Sequence, residues 1–403
     1  MQALEIKKDI YWVGAVDYSS RDFHGYSLSP QGTTYNAYLV KDEKNVLVDT
    51  VKHEFMNILQ CRINSVCKPE DIDYIIVNHV ELDHAGALPR MIELCKPEAV
   101  YCSPMGKKAI ETHFRDWKNW PIRVVKSGDS ISIGKRTIQF IETRMLHWPD
   151  SMCSYIPEDR IMFTNDAFGQ NLATSERFSD QIDPAILEHA MREYYYNIVV
   201  PYSQQVLKVT DQIAEARLDI DMVAPDHGLI FRTREAAQYA ISTYRKFAEQ
   251  VPQKRAVIVY DTMWHSTEKM AIAIGEGLGS VGIPYTIMDL KHNHHSRVMT
   301  EVGRCGLVVV GSPTHNNGIL PHVAGFLTYM RGLRPQNRIG AAFGSFGWSG
   351  ECVKVISDWL KEMNFELPVD PIKVKYVPEH EVLGQCAVMG RALGAALEAK
   401  CQR

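Results

Sequence analysis

The chain has 403 residues, 45% of them hydrophobic and 23% charged, with a formal net charge of −4. That length exceeds the size at which a single core usually keeps growing, so two or more domains of ordinary globular composition are expected. Met1 to Asp9 lacks the apolar core of a signal peptide, no stretch approaches the apolar length of a membrane span, and the nine cysteines include no C-x-x-C pair; a cytoplasmic location without an iron–sulfur module in the chain is expected.

Tyr35 to Val40 and Val46 to Val51 read as strands around the turn Lys41-Asp-Glu-Lys-Asn45, a hairpin opening the first domain. Asp73 to Val77 is a short apolar, partly β-branched run and reads as a buried strand. The run Asn78-His-Val-Glu-Leu-Asp-His-Ala-Gly86 follows it directly, so His79, Glu81, Asp83 and His84 emerge where the chain turns. Four donor side chains in six residues are hard to explain as packing or as a solvated face; they read as a metal cradle. Further donors appear at the ends of later strands. Arg136 to Thr143 alternates and leads to His147, Arg160 to Asn165 leads to Asp166, and Met222-Val-Ala leads through Pro225-Asp to His227. These seven residues form one constellation. A helix over Ala236 to Ala248 gives way to the polar link Glu249-Gln-Val-Pro-Gln-Lys-Arg255, which sets a domain boundary with 1–250 before it and 251–403 after it.

Beyond the link strands and helices alternate, which argues for a parallel sheet with helices on both faces. The strand Ala256 to Tyr260 runs into Asp261-Thr-Met-Trp-His-Ser-Thr267 and then a helix from Glu268. Hydroxyls of Thr262, Ser266 and Thr267, with Met263, Trp264 and His265 between them, lie at a helix N-terminus, a natural phosphate pocket. Leu307 to Val310 opens into a loop containing Pro313, Thr314, His315, Asn316 and Asn317. Arg338 to Phe343 opens into one containing Ser345, Phe346, Gly347, Trp348, Ser349 and Gly350. In a flavodoxin-like sheet the loops after the first and third strands flank the switch point where FMN binds, and Trp348 is the best candidate to stack on its ring. Gly275-Glu-Gly-Leu-Gly279 is no dinucleotide fingerprint, because it lies where glycines terminate a helix. His292-Asn-His-His295 reads as part of a loop and as incidental. Tyr195, within Tyr194-Tyr-Tyr196, and His24 are candidates for supporting catalytic roles beside the metals.

The pattern His79-x-Glu81-x-Asp83-His84 resembles the signature of the metallo-β-lactamase fold, with Glu81 where the zinc hydrolases carry a second histidine. A carboxylate there makes the site harder and more anionic, favouring iron over tetrahedral zinc. With Leu146-His-Trp-Pro-Asp-Ser-Met152 and Gly311-Ser-Pro-Thr-His-Asn-Asn-Gly318, the chain resembles the flavodiiron proteins over nearly its whole length, most closely those of anaerobic sulfate reducers. The resemblance implies an N-terminal metallo-β-lactamase-like αββα sandwich followed by a flavodoxin-like doubly wound parallel sheet. It assigns His79, Glu81 and His147 to one iron and Asp83 and His227 to the other, with Asp166 as the bridge; it leaves open whether His84 binds directly. It further implies FMN and two irons per chain, reduced rubredoxin as electron donor, a head-to-tail homodimer or dimer of dimers, and four-electron reduction of dioxygen to water as a detoxification in an anaerobe. Reduction of nitric oxide to nitrous oxide is the close alternative, and a zinc hydrolase of the lactamase type the alternative from another class. From residue 251 onward 8 Lys and 8 Arg stand against 4 Asp and 9 Glu, a balance of +3, whereas the preceding residues carry −7. A basic flavin domain suits an acidic donor, with Arg331, Arg334 and Arg338 as contact candidates.

Overall fold

A computed structural model describes residues 1–402. Met1–Gly25, Ser29–Tyr195 and Tyr202–Ala248 form one unit; Tyr26–Leu28, Tyr196–Pro201 and the residues from Glu249 onward form a second. Among the described residues no helix is long and apolar enough to cross a membrane.

In the first unit Ile72–Val77 is an inner strand of a seven-stranded sheet, in the order Leu4–Lys7, Ile10–Trp12, Tyr38–Val40, Asn45–Val48, Ile72–Val77, Ala99–Cys102, Ile122–Val124. The strands pair antiparallel as far as Asn45–Val48 and parallel beyond it. Alternation along these strands gives each face its own core. Leu39, Leu47 and Ile75 pack with Leu59, Ile63, Leu88 and Met91 from the helices Met56–Asn64 and Leu88–Cys95. Their neighbours Tyr38, Val46 and Ile76 pack with Phe140, Met152 and Phe163 of a second, five-stranded sheet. That sheet runs Ser130–Ser132, Thr137–Glu142, Met152–Ile156, Ile161–Phe163, Met222–Ala224. The result is the sandwich of two sheets expected from the resemblance.

The opening hairpin is shorter than expected. Tyr38–Val40 pairs with Asn45–Val48, but Thr33–Tyr35 belongs to a separate ladder with Ala15–Asp17. The break falls at Asn36, whose amide donates to the carbonyls of Pro225 and Gly228 instead of continuing a strand.

The second unit holds five parallel strands in the order Tyr285–Asp289, Ala256–Tyr260, Leu307–Gly311, Ile339–Phe346, Ile372–Lys375. By chain position this is 2-1-3-4-5, the flavodoxin-like order, with its switch point between the first and third strands. Gly275, Gly277 and Gly279 lie in the last turns of the helix Ser266–Ser280, near its end as the sequence suggested, but its C-cap is Val281 and Gly277 serves a close crossing. A Cβ on Gly277 would stand 2.2 Å from the Ala387 carbonyl oxygen, and one on Gly390 2.2 Å from that of Ile274. These glycines let Ser266–Ser280 and His380–Cys401 cross with their backbones nearly touching. Gly277→Val should therefore destabilise the second unit by about 1–3 kcal/mol or more, since neither backbone can yield to the added bulk. Chemical denaturation followed by flavin release measures this, and an unchanged midpoint would contradict the close crossing.

Candidate metal centre and cofactor pocket

The cradle after Ile72–Val77 is fixed by its neighbours before any donor is placed. Asn78 donates through its backbone and side-chain nitrogens to the two carboxylate oxygens of Asp49 and accepts from the Ser154 hydroxyl. Glu81 then stands at the N-terminus of the short helix Leu82–Ala85, which carries Asp83 and His84. His147, Asp166 and His227 arrive from the connections after Thr137–Glu142, Ile161–Phe163 and Met222–Ala224.

All seven converge in two buried groups, His79, Glu81, His147 and Asp166 in one and Asp83, His84 and His227 in the other, with donor atoms within 4.8 Å of one another in each. Asp166 joins them. Its Oδ2 lies 3.2 Å from His79 Nε2 and 3.1 Å from His147 Nε2, while its Oδ1 lies 3.1 Å from His84 Nε2 and 3.3 Å from His227 Nε2. Glu81 Oε2 completes the first group at 3.2 Å from His79 Nε2. Asp83 Oδ2 completes the second at 3.2 Å from His227 Nε2. Both Asp83 oxygens and His227 Nε2 are buried without a hydrogen bond. Buried polar atoms are rarely left so, and three carboxylates and four imidazoles around two foci suit two cations with mixed oxygen and nitrogen ligation.

The far side of each ring is held too. His79 Nδ1 donates to Asp150 Oδ2 at 3.0 Å, and His227 Nδ1 to the Thr34 carbonyl at 2.7 Å. His84 Nδ1 faces Asp226 Oδ2 at 3.6 Å. Such partners set which nitrogen points inward. Burial raises the Asp166 carboxyl, but the charge of His84 and the hydrogen bond from His147 outweigh it and hold the group well below its usual range. Asp226 goes the other way, pushed well up by burial and by Asp49. Asp150 and Asp226 were missed as supports, although both adjoin the histidine motifs in sequence.

His24 lies at the site, its Nε2 3.0 Å from Glu81 Oε1 and its ring half exposed. Tyr195 does not. Its hydroxyl pairs with Ser203 at 2.9 Å and its ring packs on Tyr244 and Phe247. Its neighbour Tyr194 does reach the cluster, its ring centre 5.8 Å from that of His227. His292 and His294 serve their own loop, with His292 bonded to Asp289 and His294 capping the helix His295–Val302.

In the second unit a cavity of about 630 Å³ opens at the carboxyl ends of the strands. Thr262, Met263, Trp264 and Ser266 line it from the first loop; Pro313, Thr314, Asn316 and Asn317 from the next; Ser345, Phe346, Gly347, Trp348 and Ser349 from the last. Tyr376 and Val377, just past Ile372–Lys375, also line it and were missed. His265, Thr267, His315 and Gly350 are not among the lining residues: Thr267 is buried against the Ser345 hydroxyl and His265 turns to Glu268. Trp264 and Trp348 are 86% and 87% exposed at the mouth.

Two family models match the chain, an ODP family beta lactamase over residues 33–228 and a flavodoxin over 258–388. A rubredoxin-oxygen oxidoreductase of Megalodesulfovibrio gigas is 54% identical over 99% of both chains. The solved flavodiiron protein of Giardia intestinalis is 32% identical with a TM-score of 0.95, over all of this chain and 98% of its own. The chain belongs to the flavodiiron proteins. Among its flavodiiron relatives by sequence is also a nitric oxide reductase of Moorella thermoacetica, 42% identical over 98% of this chain and 99% of that one.

The basic contact candidates need correction. Arg338 is buried, its guanidinium donating to the carbonyls of Gln250 and Gln336. Arg331 and Arg334 sit at the C-terminal end of the helix Pro321–Leu333. In a doubly wound sheet that end lies beside the amino ends of the strands, opposite the cavity. The lysines near the cavity are Lys291, whose Nζ is 3.6 Å from Asp261 Oδ1, and Lys373 and Lys375 over the rings of Phe346 and Tyr376.

Proposed function

We propose that this flavodiiron protein reduces dioxygen to water, with reduced rubredoxin as the external electron donor and a cytoplasmic location. The observation that carries the reading is one carboxylate, Asp166, shared between two donor groups in a chain that also builds a flavodoxin-type pocket. Bound in these places, two iron ions and an FMN supply the four electrons that, with four protons, convert one dioxygen to two waters. His79, Glu81 and His147 would hold one iron and Asp83 and His227 the other, with the Asp166 carboxylate reaching both groups. His84 Nε2 points into the second group, which supports direct ligation. Asp150 and Thr34 keep His79 and His227 turned inward, and His24 covers the outer oxygen of Glu81. Thr262 and Ser266, at the N-terminus of Ser266–Ser280, take the FMN phosphate, and Trp264 and Trp348 take the ring.

Glu81 counts against a zinc hydrolase, and so does the second pocket, for which such an enzyme has no use. An absorbance spectrum with metal analysis tests this reading, since it requires flavin and iron together. Nitric oxide stays as the second reading because a relative 42% identical carries that activity in its name. Stopped-flow mixing of the anaerobically reduced protein with each gas decides between them: faster oxidation by dioxygen supports the first reading, and faster oxidation by nitric oxide replaces it.

The two sites belong to separate units, and the exposed indoles at the cavity mouth offer a surface for a second copy. These features support a head-to-tail homodimer or dimer of dimers. Sedimentation at assay concentration checks it, and a fully active monomer refutes it. An acidic donor must come close to the flavin, which favours the lysines at the cavity over Arg331 and Arg334. Replacing Lys373 and Lys375 by Gln should lower rubredoxin-dependent turnover several-fold at low salt and flatten its decline with ionic strength. Replacing Arg331 and Arg334 should leave both unchanged; the reverse pattern would move the docking surface to the far side.

A further inference from the structure

Trp12, in the strand Ile10–Trp12, is 3% exposed, and two guanidinium groups lie over its ring. Arg62 Cζ, from the helix Met56–Asn64, is 4.1 Å from the ring centre, and Arg177 Cζ is 5.1 Å from it. Cation–π attraction explains one arginine on an indole. It does not explain two, because their like charges repel and each guanidinium brings five donors that need acceptors.

Among the described residues neither group has a carboxylate within ion-pair distance, and neither guanidinium donates a hydrogen bond. Arg177 is 8% exposed, and Arg62 Nε and Arg177 Nη1 are fully buried without a hydrogen-bond partner. Buried arginines are ordinarily paired, and an unpaired one costs several kcal/mol of desolvation. The setting sharpens the anomaly, since residues 1–250 carry a net −7 and have carboxylates to spare. Burial and the charge of Arg177 push the Arg62 pKa down to about 10; the adjacent Glu176 carboxylate acts on Arg177 without reaching ion-pair distance, and burial still holds that guanidinium below its usual value.

We propose that Arg62 and Arg177 form an oxyanion-binding site for a phosphate or carboxylate group, separate from the metal cluster and the flavin pocket. The planar forks suit the two or three acceptor oxygens of such groups. The site is tied to the cluster through one short chain of hydrogen bonds. Trp12 Nε1 donates to Asn36 Oδ1 at 2.8 Å, and Asn36 Nδ2 donates to the carbonyls of Pro225 and Gly228, which bracket His227.

The test uses FMN- and iron-replete protein, so that the flavin phosphate already fills its own pocket. Thermal unfolding and isothermal titration are followed with inorganic phosphate and, in a second arm, with acetate, at ionic strength held constant with chloride. A specific site gives one saturable binding event per chain and a midpoint that rises with the logarithm of ligand concentration. In Arg62→Gln the affinity should fall at least about tenfold, the loss of one charge-assisted contact, and Arg62→Lys should restore only part of it. Arg62 is only partly buried, and Arg62→Gln keeps a polar side chain of similar length, so that variant tests the site even if Arg177→Gln does not fold. The arm with the tighter binding identifies the ligand class. A wild-type protein that responds to neither anion, or an Arg62→Gln variant that binds as tightly as wild type, overturns the site.

Discussion

Asp166→Ala should lose most of its iron and at least about 100-fold of its oxygen reductase activity while keeping a full complement of FMN. The geometry makes this the most damaging single change in the first unit, because its two oxygens each face two imidazoles. Replacing a group that merely orients a ligand costs roughly 10- to 100-fold in metal affinity; removing one that serves both groups leaves each of them short. It also leaves buried imidazoles that had held the carboxyl ionised, so acidification or chelator should strip the remaining metal more easily than from wild type. Asp150→Asn is the graded comparison, since it touches only His79 and keeps a polar partner there. Plasma emission analysis of metals, flavin absorbance and oxygen uptake on the same preparation read all three quantities. Two irons retained in Asp166→Ala, or zinc at full occupancy without iron in wild type made with iron present, would sink the ligand assignment.

What was legible in the sequence follows a physical rule. The donors lie at or just past the carboxyl ends of strands, where a short apolar or alternating run stops and residues of unusual chemistry begin, so His79 to His84, His147, Asp166 and His227 could be placed without coordinates. Helix phase gave no such marker. Tyr194, Tyr195 and Tyr196 are successive residues at the join of Pro184–Tyr194 and a π-helical turn, so they point in three directions and only Tyr194 meets His227. Arg338 failed for another reason: an arginine is ordinarily a surface residue, and only the fold supplies the backbone carbonyls that take it inside. The glycines of Gly275 to Gly279 carry the same lesson, because a helix end and a helix crossing both call for glycine and differ only in what lies opposite. Tyr376 and Val377 were unreadable because the final strand, Ile372–Lys375, is short and carries no polar loop signature.

The flavin pocket should depend on its two indoles as the cluster depends on Asp166. Trp264 and Trp348 come from different loops, line one cavity and are 86% and 87% exposed. An indole left in water gains only when something flat and apolar covers it. Covering roughly 100 Å² of each ring at about 25 cal/mol per Å², with an aromatic contact of about 0.5–1.5 kcal/mol, favours the covered state by about 3–4 kcal/mol. Trp264→Ala and Trp348→Ala should each therefore raise the FMN dissociation constant on the order of 100-fold. Binding should not vanish, since Thr262, Ser266 and the N-terminus of Ser266–Ser280 still hold the phosphate. Riboflavin, which lacks that phosphate, separates the two contributions: the variants should lose as much affinity for riboflavin as for FMN if the indoles act on the ring alone. Quenching of flavin fluorescence on titration into the flavin-free protein gives the constants, and metal analysis should find iron unchanged. A change below about threefold in both variants would mean that the ring is held by Tyr376 and the loop backbones, and that the indoles serve the surface between protomers instead.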